Sequence, residues 1–258
     1  MADEAVEVGE PGATVSQGTS SQRPEPGAPS DVVRAAPVDI HPPTRFERIA
    51  YGAIRLLALS LAKVWVRLSV VGGEHIPARG GPYVMAPVHR SNLDFLLVAL
   101  LNRRRMRYMA KASLWKWRPG GRFIALLGGF PVHRGSADRT ALRTCLQVIE
   151  NGESVVLFPE GTRRSGATVD DVFDGPAYVA CRAGVPLVPI GIGGSEKAMP
   201  RGARWVKPRK ITLVVGDPLE PSPTDSNGRV SRRAVRELTE RLREAVQHLY
   251  DRAQQLAG

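Results

Sequence analysis

Between Arg45 and Leu68 the chain reads RFERIAYGAIRLLALSLAKVWVRL, with apolar positions returning every three or four residues. At about 100° per residue, Arg48, Arg55, Lys63 and Arg67 share an arc of about 120°, with Ile54, Leu57, Leu61, Val64, Trp65 and Leu68 opposite them. The spacing predicts an amphipathic helix. Its longest uncharged run, Leu56 to Ala62, falls far short of the roughly 20 residues that span a bilayer. A basic helix with Trp on its apolar side suits a membrane interface, and the alternative is a helix packed on its own domain.

Downstream the period changes. Short β-like runs (LSVVG, YVMAPV, RYMAK, FPVHR, SVVL, PLVPIGI, KITLVV) alternate with helical ones such as SNLDFLLVALLNRR, SADRTALRTCLQVIENG and DGPAYVACRAG. The last is SRRAVRELTERLREAVQHLYDRA, with Val235, Leu238, Leu242, Val246 and Leu249 at helical spacing. Near-continuous apolar strands separated by helices predict an α/β fold with a mostly parallel central sheet. Ahead of it, Met1 to Thr44 is rich in Pro, Gly and Ser, with neither a basic n-region nor an apolar core of a signal peptide, and reads as a disordered tail. The expected organisation is a tail over 1–44, an interface helix over 45–68 and one α/β domain over 69–258.

Charge sharpens this division. The tail holds seven acidic residues against Arg23 and Arg34, so the net +11 of the 258-residue chain understates how basic the remainder is. Such an excess points to an anionic partner: nucleic acid, an acidic membrane surface or a phosphorylated metabolite. Cys145 and Cys181 have neither metal-ligand spacing nor a disulfide framework, which fits a reducing, cytosol-facing location.

Candidate chemistry begins at PVHRSNLDFLL, Pro87 to Leu97, a polar interruption between two apolar runs. His89 and Asp94 are five residues apart, too far round a helix to share one face, so they meet only if His89 precedes the helix. Ser91 or Asn92 as N-cap places Asp94 in the first turn, where it can orient the imidazole as a general base. A capping Asp beside a lone His is the simpler alternative. GGFPVHR ends a strand in Arg134, and FPEGTRRSG follows another with a Gly turn and Arg163 and Arg164. Ligands of open α/β sheets bind at the carboxyl ends of strands, so the three polar ends should converge on one crevice.

The order H-x-x-x-x-D at His89 and Asp94, G-x-F-x-x-x-R ending at Arg134, F-P-E-G-T-R at Phe158 to Arg163 and VPLVPIGI at Val185 to Ile192 resembles the glycerolipid acyltransferases, most closely the 1-acylglycerol-3-phosphate acyltransferases. The likeness covers about Arg67 to Pro218. It implies transfer of an acyl group from acyl-CoA or acyl carrier protein, as co-substrate and without a cofactor, to the free hydroxyl of lysophosphatidic acid. It assigns the base to His89, its orienter to Asp94, and acceptor-phosphate binding to Arg134, Glu160, Gly161, Thr162 and Arg163. Pro186 and Pro189 fall in a block linked to donor or structural roles. A peripheral position on the cytoplasmic face of the cell membrane follows from the same likeness and the basic helix.

Two positions depart from the pattern. Val88 stands where many members have Asn before the histidine, and Asp174 follows Phe173 where many have Lys. Acceptors such as glycerol 3-phosphate or a lysophospholipid with a larger head group therefore stay open. His133 beside Arg134 reads as a surface residue, and WKWRPGGR, Trp115 to Arg122, as an interfacial segment or as buried Trp. No G-x-S-x-G elbow is present for a covalent hydrolase, and one His with one Asp is too few for a metal site. A nucleic-acid-binding protein would explain the charge but not FPEGTR, and no nucleic-acid-binding signature appears.

Overall fold

Seven of the apolar runs become strands. The computed structural model describes residues 44–77, 81–132, 139–223 and 229–258, so the predicted tail up to residue 43, His133 and Arg134 lie outside the described residues. The strands are β1 (Ser69–Val71), β2 (Val84–Pro87), β3 (Arg107–Lys111), β4 (Gly129–Val132), β5 (Val155–Val156), β6 (Leu187–Gly193) and β7 (Thr212–Val215). They form one sheet in the order β1-β7-β6-β2-β5-β3-β4, parallel at every junction except the antiparallel β6–β7 pair. Every residue of β2, β6 and β7 is buried, as a parallel sheet covered on both faces requires.

The helices are α1 (Arg45–Trp65), α2 (Asp94–Leu101), α3 (Arg118–Leu126), α4 (Arg139–Glu150), α5 (Gly175–Ala183), the one-turn α6 (Ser195–Ala198) and α7 (Arg232–Ala257). Pro176 near its start and Gly184 in the left-handed region at its end delimit α5. WKWRPGGR, which the pattern left as a segment, enters α3, and Trp117 there is strongly exposed.

The run PIGIGG has a packing reason. A Cβ at Gly191 would lie 2.2 Å from the Leu249 backbone, and one at Gly193 2.1 Å from the Ala253 carbonyl. Their hydrogens let α7 lie backbone to backbone against β6, and this seat carries Gln247 and Tyr250 to the loop after β5 and Gln254 to the Gly194 N–H after β6.

α1 begins with a capping box, Thr44 accepting from the Glu47 N–H while the Glu47 carboxylate accepts from the Thr44 N–H. Its predicted division of faces is modified at three residues. Arg55 turns inward and donates to the carbonyls of Leu100 and Asn102 at 2.6 and 2.7 Å, closing the end of α2. Arg67 lies beyond the helix with φ 43°, and the Trp65 indole donates to the Val206 carbonyl. Phe46, Ile49, Leu56, Leu57, Leu61 and Val64 remain exposed, Val64 by 80%. One flank of α1 thus docks through Tyr51, Ile54 and Arg55, while an apolar flank faces outward. Among the described residues no helix is long and apolar enough to cross a membrane.

Candidate active site

Adjacent parallel strands β2 and β5 deliver the two loops that carry the chemistry. β2 runs out at Pro87 and sets His89 at its carboxyl end, while the chain after β5 makes the FPEGTR turn beside it. The His89 Nδ1 lies 3.0 Å from Asp94 Oδ2. That oxygen also accepts the backbone N–H groups of Arg90 and Ser91, each at 2.6 Å. An oxygen already receiving two N–H donors takes a third bond as acceptor, so the proton of this contact belongs to Nδ1 and the lone pair of the neutral ring to Nε2. The Asp94 side chain is fully buried and that of His89 is 14% exposed, leaving the carboxylate sealed and the imidazole at the surface of the site.

The helix start differs from the expected cap. Leu93 occupies the N-cap position without a side-chain bond, and Asp94 opens the helix. The Ser91 hydroxyl is taken up within the turn, donating to the Met199 carbonyl and accepting from the Leu93 N–H. Capping is performed backwards by Asp94 on the loop that holds His89. The carboxylate that orients the imidazole therefore also fixes the backbone that carries it.

Glu160 braces the pair from behind. Its Oε2 accepts the His89 N–H at 2.9 Å and its Oε1 accepts Arg90 Nη1, both side chains being almost wholly buried. Arg90 also donates to the Thr168 carbonyl and lies 4.9 Å over the Tyr250 ring. Burial alone would lower the basicity of Arg90; the bond and charge of Glu160, helped by Tyr250, outweigh it and hold Arg90 above the ordinary arginine value. The Phe158 ring stacks on His89 with centroids 4.0 Å apart, and Arg164 N–H donates to the His89 carbonyl. Phe158, Glu160 and Arg164 of the loop after β5 thus all contact His89.

The residues expected to hold a phosphate divide. Gly161 and Thr162 are exposed and Arg163 is half-buried, whereas Glu160 lies beneath the surface with both oxygens engaged by His89 and Arg90. Gly161 has φ 63°, and a Cβ there would come 2.9 Å from the Phe173 ring, so glycine serves both the turn and the contact. Pro186 and Pro189 flank and enter the core strand β6. At the departing position, Asp174 accepts from the Thr239 hydroxyl of α7 at 2.8 Å. The N–H groups of Gly161 and Thr162 are committed to the carbonyls of Phe158 and Glu160, and those of Arg90 and Ser91 to Asp94, so none of these four is available to an oxyanion.

The sequence reading passed over Arg90, Phe158 and the α7 residues. Tyr250 donates to the Gly166 carbonyl, Gln247 bonds both the Ala167 carbonyl and the Val169 N–H, and Gln254 joins the Tyr250 hydroxyl to the Gly194 N–H. Nothing local in the sequence pairs Arg90 with Glu160, which is 70 residues away. Nothing in the helical spacing of α7 distinguishes its polar residues that face a loop from those that face water.

Residues 67–193, which contain all these motifs, match the family model described as Acyltransferase. Over that stretch, just under half of its length, the chain is similar to the acyltransferase family. It is 29% identical over 200 residues to the 1-acyl-sn-glycerol-3-phosphate acyltransferase of Bacillus subtilis, covering 74% of this chain and 95% of that one. It is 26% identical over 176 residues to a chloroplastic 1-acyl-sn-glycerol-3-phosphate acyltransferase of Brassica napus, where the match covers 64% of this chain and only 51% of the plant protein. The crystal structure of the 1-acyl-sn-glycerophosphate (LPA) acyltransferase PlsC from Thermotoga maritima is similar with a TM-score of 0.63 at 25% identity, covering 80% of each chain.

Proposed function

We propose that this acyltransferase domain moves a fatty acyl group from a thioester donor, acyl-CoA or acyl carrier protein, to the free hydroxyl of 1-acylglycerol-3-phosphate, yielding phosphatidic acid. The observation that carries the proposal is the His89–Asp94 contact at 3.0 Å, with Nε2 left as the proton acceptor. Its occurrence in a domain whose relatives bear the name 1-acyl-sn-glycerol-3-phosphate acyltransferase supports the choice of acceptor.

An alcohol is a weak nucleophile at neutral pH. His89 Nε2 takes the hydroxyl proton as the oxygen attacks the thioester carbonyl. Asp94 steadies the imidazolium through Nδ1. Collapse of the tetrahedral adduct breaks the C–S bond, and the imidazolium returns its proton to the leaving thiolate. No covalent enzyme intermediate is required, because two bound substrates held in contact supply the approximation. Thr162 and Arg163 at the exposed turn, with Arg134, bind the acceptor phosphate, the guanidinium groups in bidentate fashion. Glu160 acts through Arg90 and the His89 backbone as a positioning residue. The outward apolar flank of α1 rests on the cytoplasmic face of the membrane, peripherally, where a lysolipid acceptor resides.

The test is an acceptor panel with radiolabelled acyl-CoA and acyl-carrier-protein donors. Labelled phosphatidic acid from lysophosphatidic acid is expected. Preferred acylation of glycerol 3-phosphate, or of a lysophospholipid with a larger head group, would reject the acceptor assignment while leaving the base assignment in place.

A further inference from the structure

At the end of the sheet away from His89, the chain entering β2, β3 and β5 surrounds a cavity of about 680 Å³. α1 closes one side of it with Glu47, Arg48 and Tyr51, and the stretch before β3 contributes three consecutive arginines, Arg103, Arg104 and Arg105. Four guanidinium groups thus face two carboxylates, Glu47 and Glu153, and both carboxylates have other commitments. Glu47 accepts from the Thr44 N–H, and Glu153 is shared between Arg105 and a close bond from Arg107.

Arg105 is the telling member. Its side chain is only 6% exposed, yet its nearest carboxylate contact is a long 3.6 Å pair with Glu153. Its Nε has no hydrogen-bond partner among the described residues, and neither has the buried Tyr51 hydroxyl. Burial, and then the neighbouring charge of Arg107, lower the basicity of Arg105, the signature of a cation short of counter-charge. A buried, underpaired guanidinium next to a polar cavity is costly unless an anion completes it. A carboxylate brings one charge and two oxygens; a phosphate monoester brings up to two charges and three terminal oxygens, matching the surplus of two arginines and the unpaired donors.

We propose that this cavity binds a phosphate monoester, at a site separate from the one built on His89. It is reached from the opposite end of the same strands and does not depend on the proposed reaction. Two sources offer this chemistry. One is a soluble phosphate, and the other is a lipid head group whose chains follow the exposed Phe46 and Ile49 of α1, next to Arg48.

The experiment uses the full chain carrying Arg163→Ala, so that the turn after β5 does not contribute phosphate binding. Equilibrium dialysis against radiolabelled inorganic phosphate is the soluble arm. Flotation with neutral vesicles containing phosphatidate, or phosphatidylglycerol at equal surface charge, is the lipid arm. Adding Arg103→Ser and Arg104→Ser, both at exposed positions, should weaken phosphate binding about tenfold if the source is soluble, as loss of a charge-assisted contact predicts. It should abolish a preference for phosphatidate if the source is lipid. The pair Arg232→Ser and Arg236→Ser removes equal charge from α7 and should leave either signal unchanged; an equal loss there would overturn the site. Arg105→Gln, checked for unaltered thermal unfolding, should reproduce the loss. Binding indifferent to Arg103 and Arg104, or absent from both arms, would falsify the proposal.

Discussion

The His89 side chain is held on three sides, by Asp94 at Nδ1, by the Phe158 ring, and through its backbone by Glu160 and Arg164. Removing the base should cost about 10²- to 10⁴-fold in turnover. His89→Ala is therefore expected to lose that factor in kcat at unchanged melting temperature, and near-normal turnover in a folded variant would reject the base. Glu160→Gln has a different signature. It leaves Arg90 buried without its counter-charge, which costs about 3–5 kcal/mol when such a pair is broken, so both stability and kcat should fall while the KM for the acceptor holds. Urea unfolding beside steady-state kinetics separates this from a phosphate ligand, whose loss would raise KM. Arg163→Ala supplies that contrast, with an expected rise in the acceptor KM. At Cys145, burial pushes the thiol up to about 12, and it pushes Cys181 upward as well. Both thiols hold their protons more tightly than an ordinary cysteine and both are buried, so neither should react with a thiol reagent at pH 8 until the chain is unfolded.

At the scale of elements, helices and strands were legible wherever periodicity and punctuation agreed. α5 shows this, with Pro176 opening it and Gly184 closing it. The helix over Arg45 to Trp65 was equally plain in its spacing, but the fate of Arg55 was not. Its partners are carbonyls at the end of α2, 45 and 47 residues away, and no local pattern encodes them. The start of α2 was misread for a related reason. Ser91 and Asn92 have the right chemistry for a cap, yet Asp94 reaches backward and the serine hydroxyl is claimed by Met199. Arg55→Met should loosen α1 from α2 and lower stability by about 1–3 kcal/mol, the scale of lost hydrogen bonds to a charged donor, reduced by its partial exposure. Hydrogen exchange of the α1 amides would report it. Gly191→Ala, by contrast, meets immovable backbone of α7 and should lower the melting temperature more than the same change at Gly152, which has nothing within 4 Å.

Across the whole molecule, parallel order places the carboxyl ends of β2 and β5 side by side, and this adjacency brings H-x-x-x-x-D and FPEGTR together. Motif chemistry made both loops legible, because their residue types are unusual at strand ends. It could not show that Glu160 faces inward, since an acidic residue in a polar turn reads as exposed until its buried arginine partner is found. β4 stands three positions from β2 in the sheet, about 14 Å at the usual strand spacing.

α7 reaches the same site from downstream of the segment that carries the motifs. Tyr250 is 84 residues beyond the Gly166 carbonyl it holds, and Gln247 is 78 beyond Val169. During synthesis His89 and Asp94 emerge early, but the helix whose Tyr250 ring lies against Arg90 emerges after the last strand has been made. A ribosome-bound chain ending at β7 would carry every motif and still lack the Tyr250 ring over Arg90 and the bonds that α7 makes to Gly166 and Val169. Completion of the site around His89 thus waits for a helix made after all seven strands.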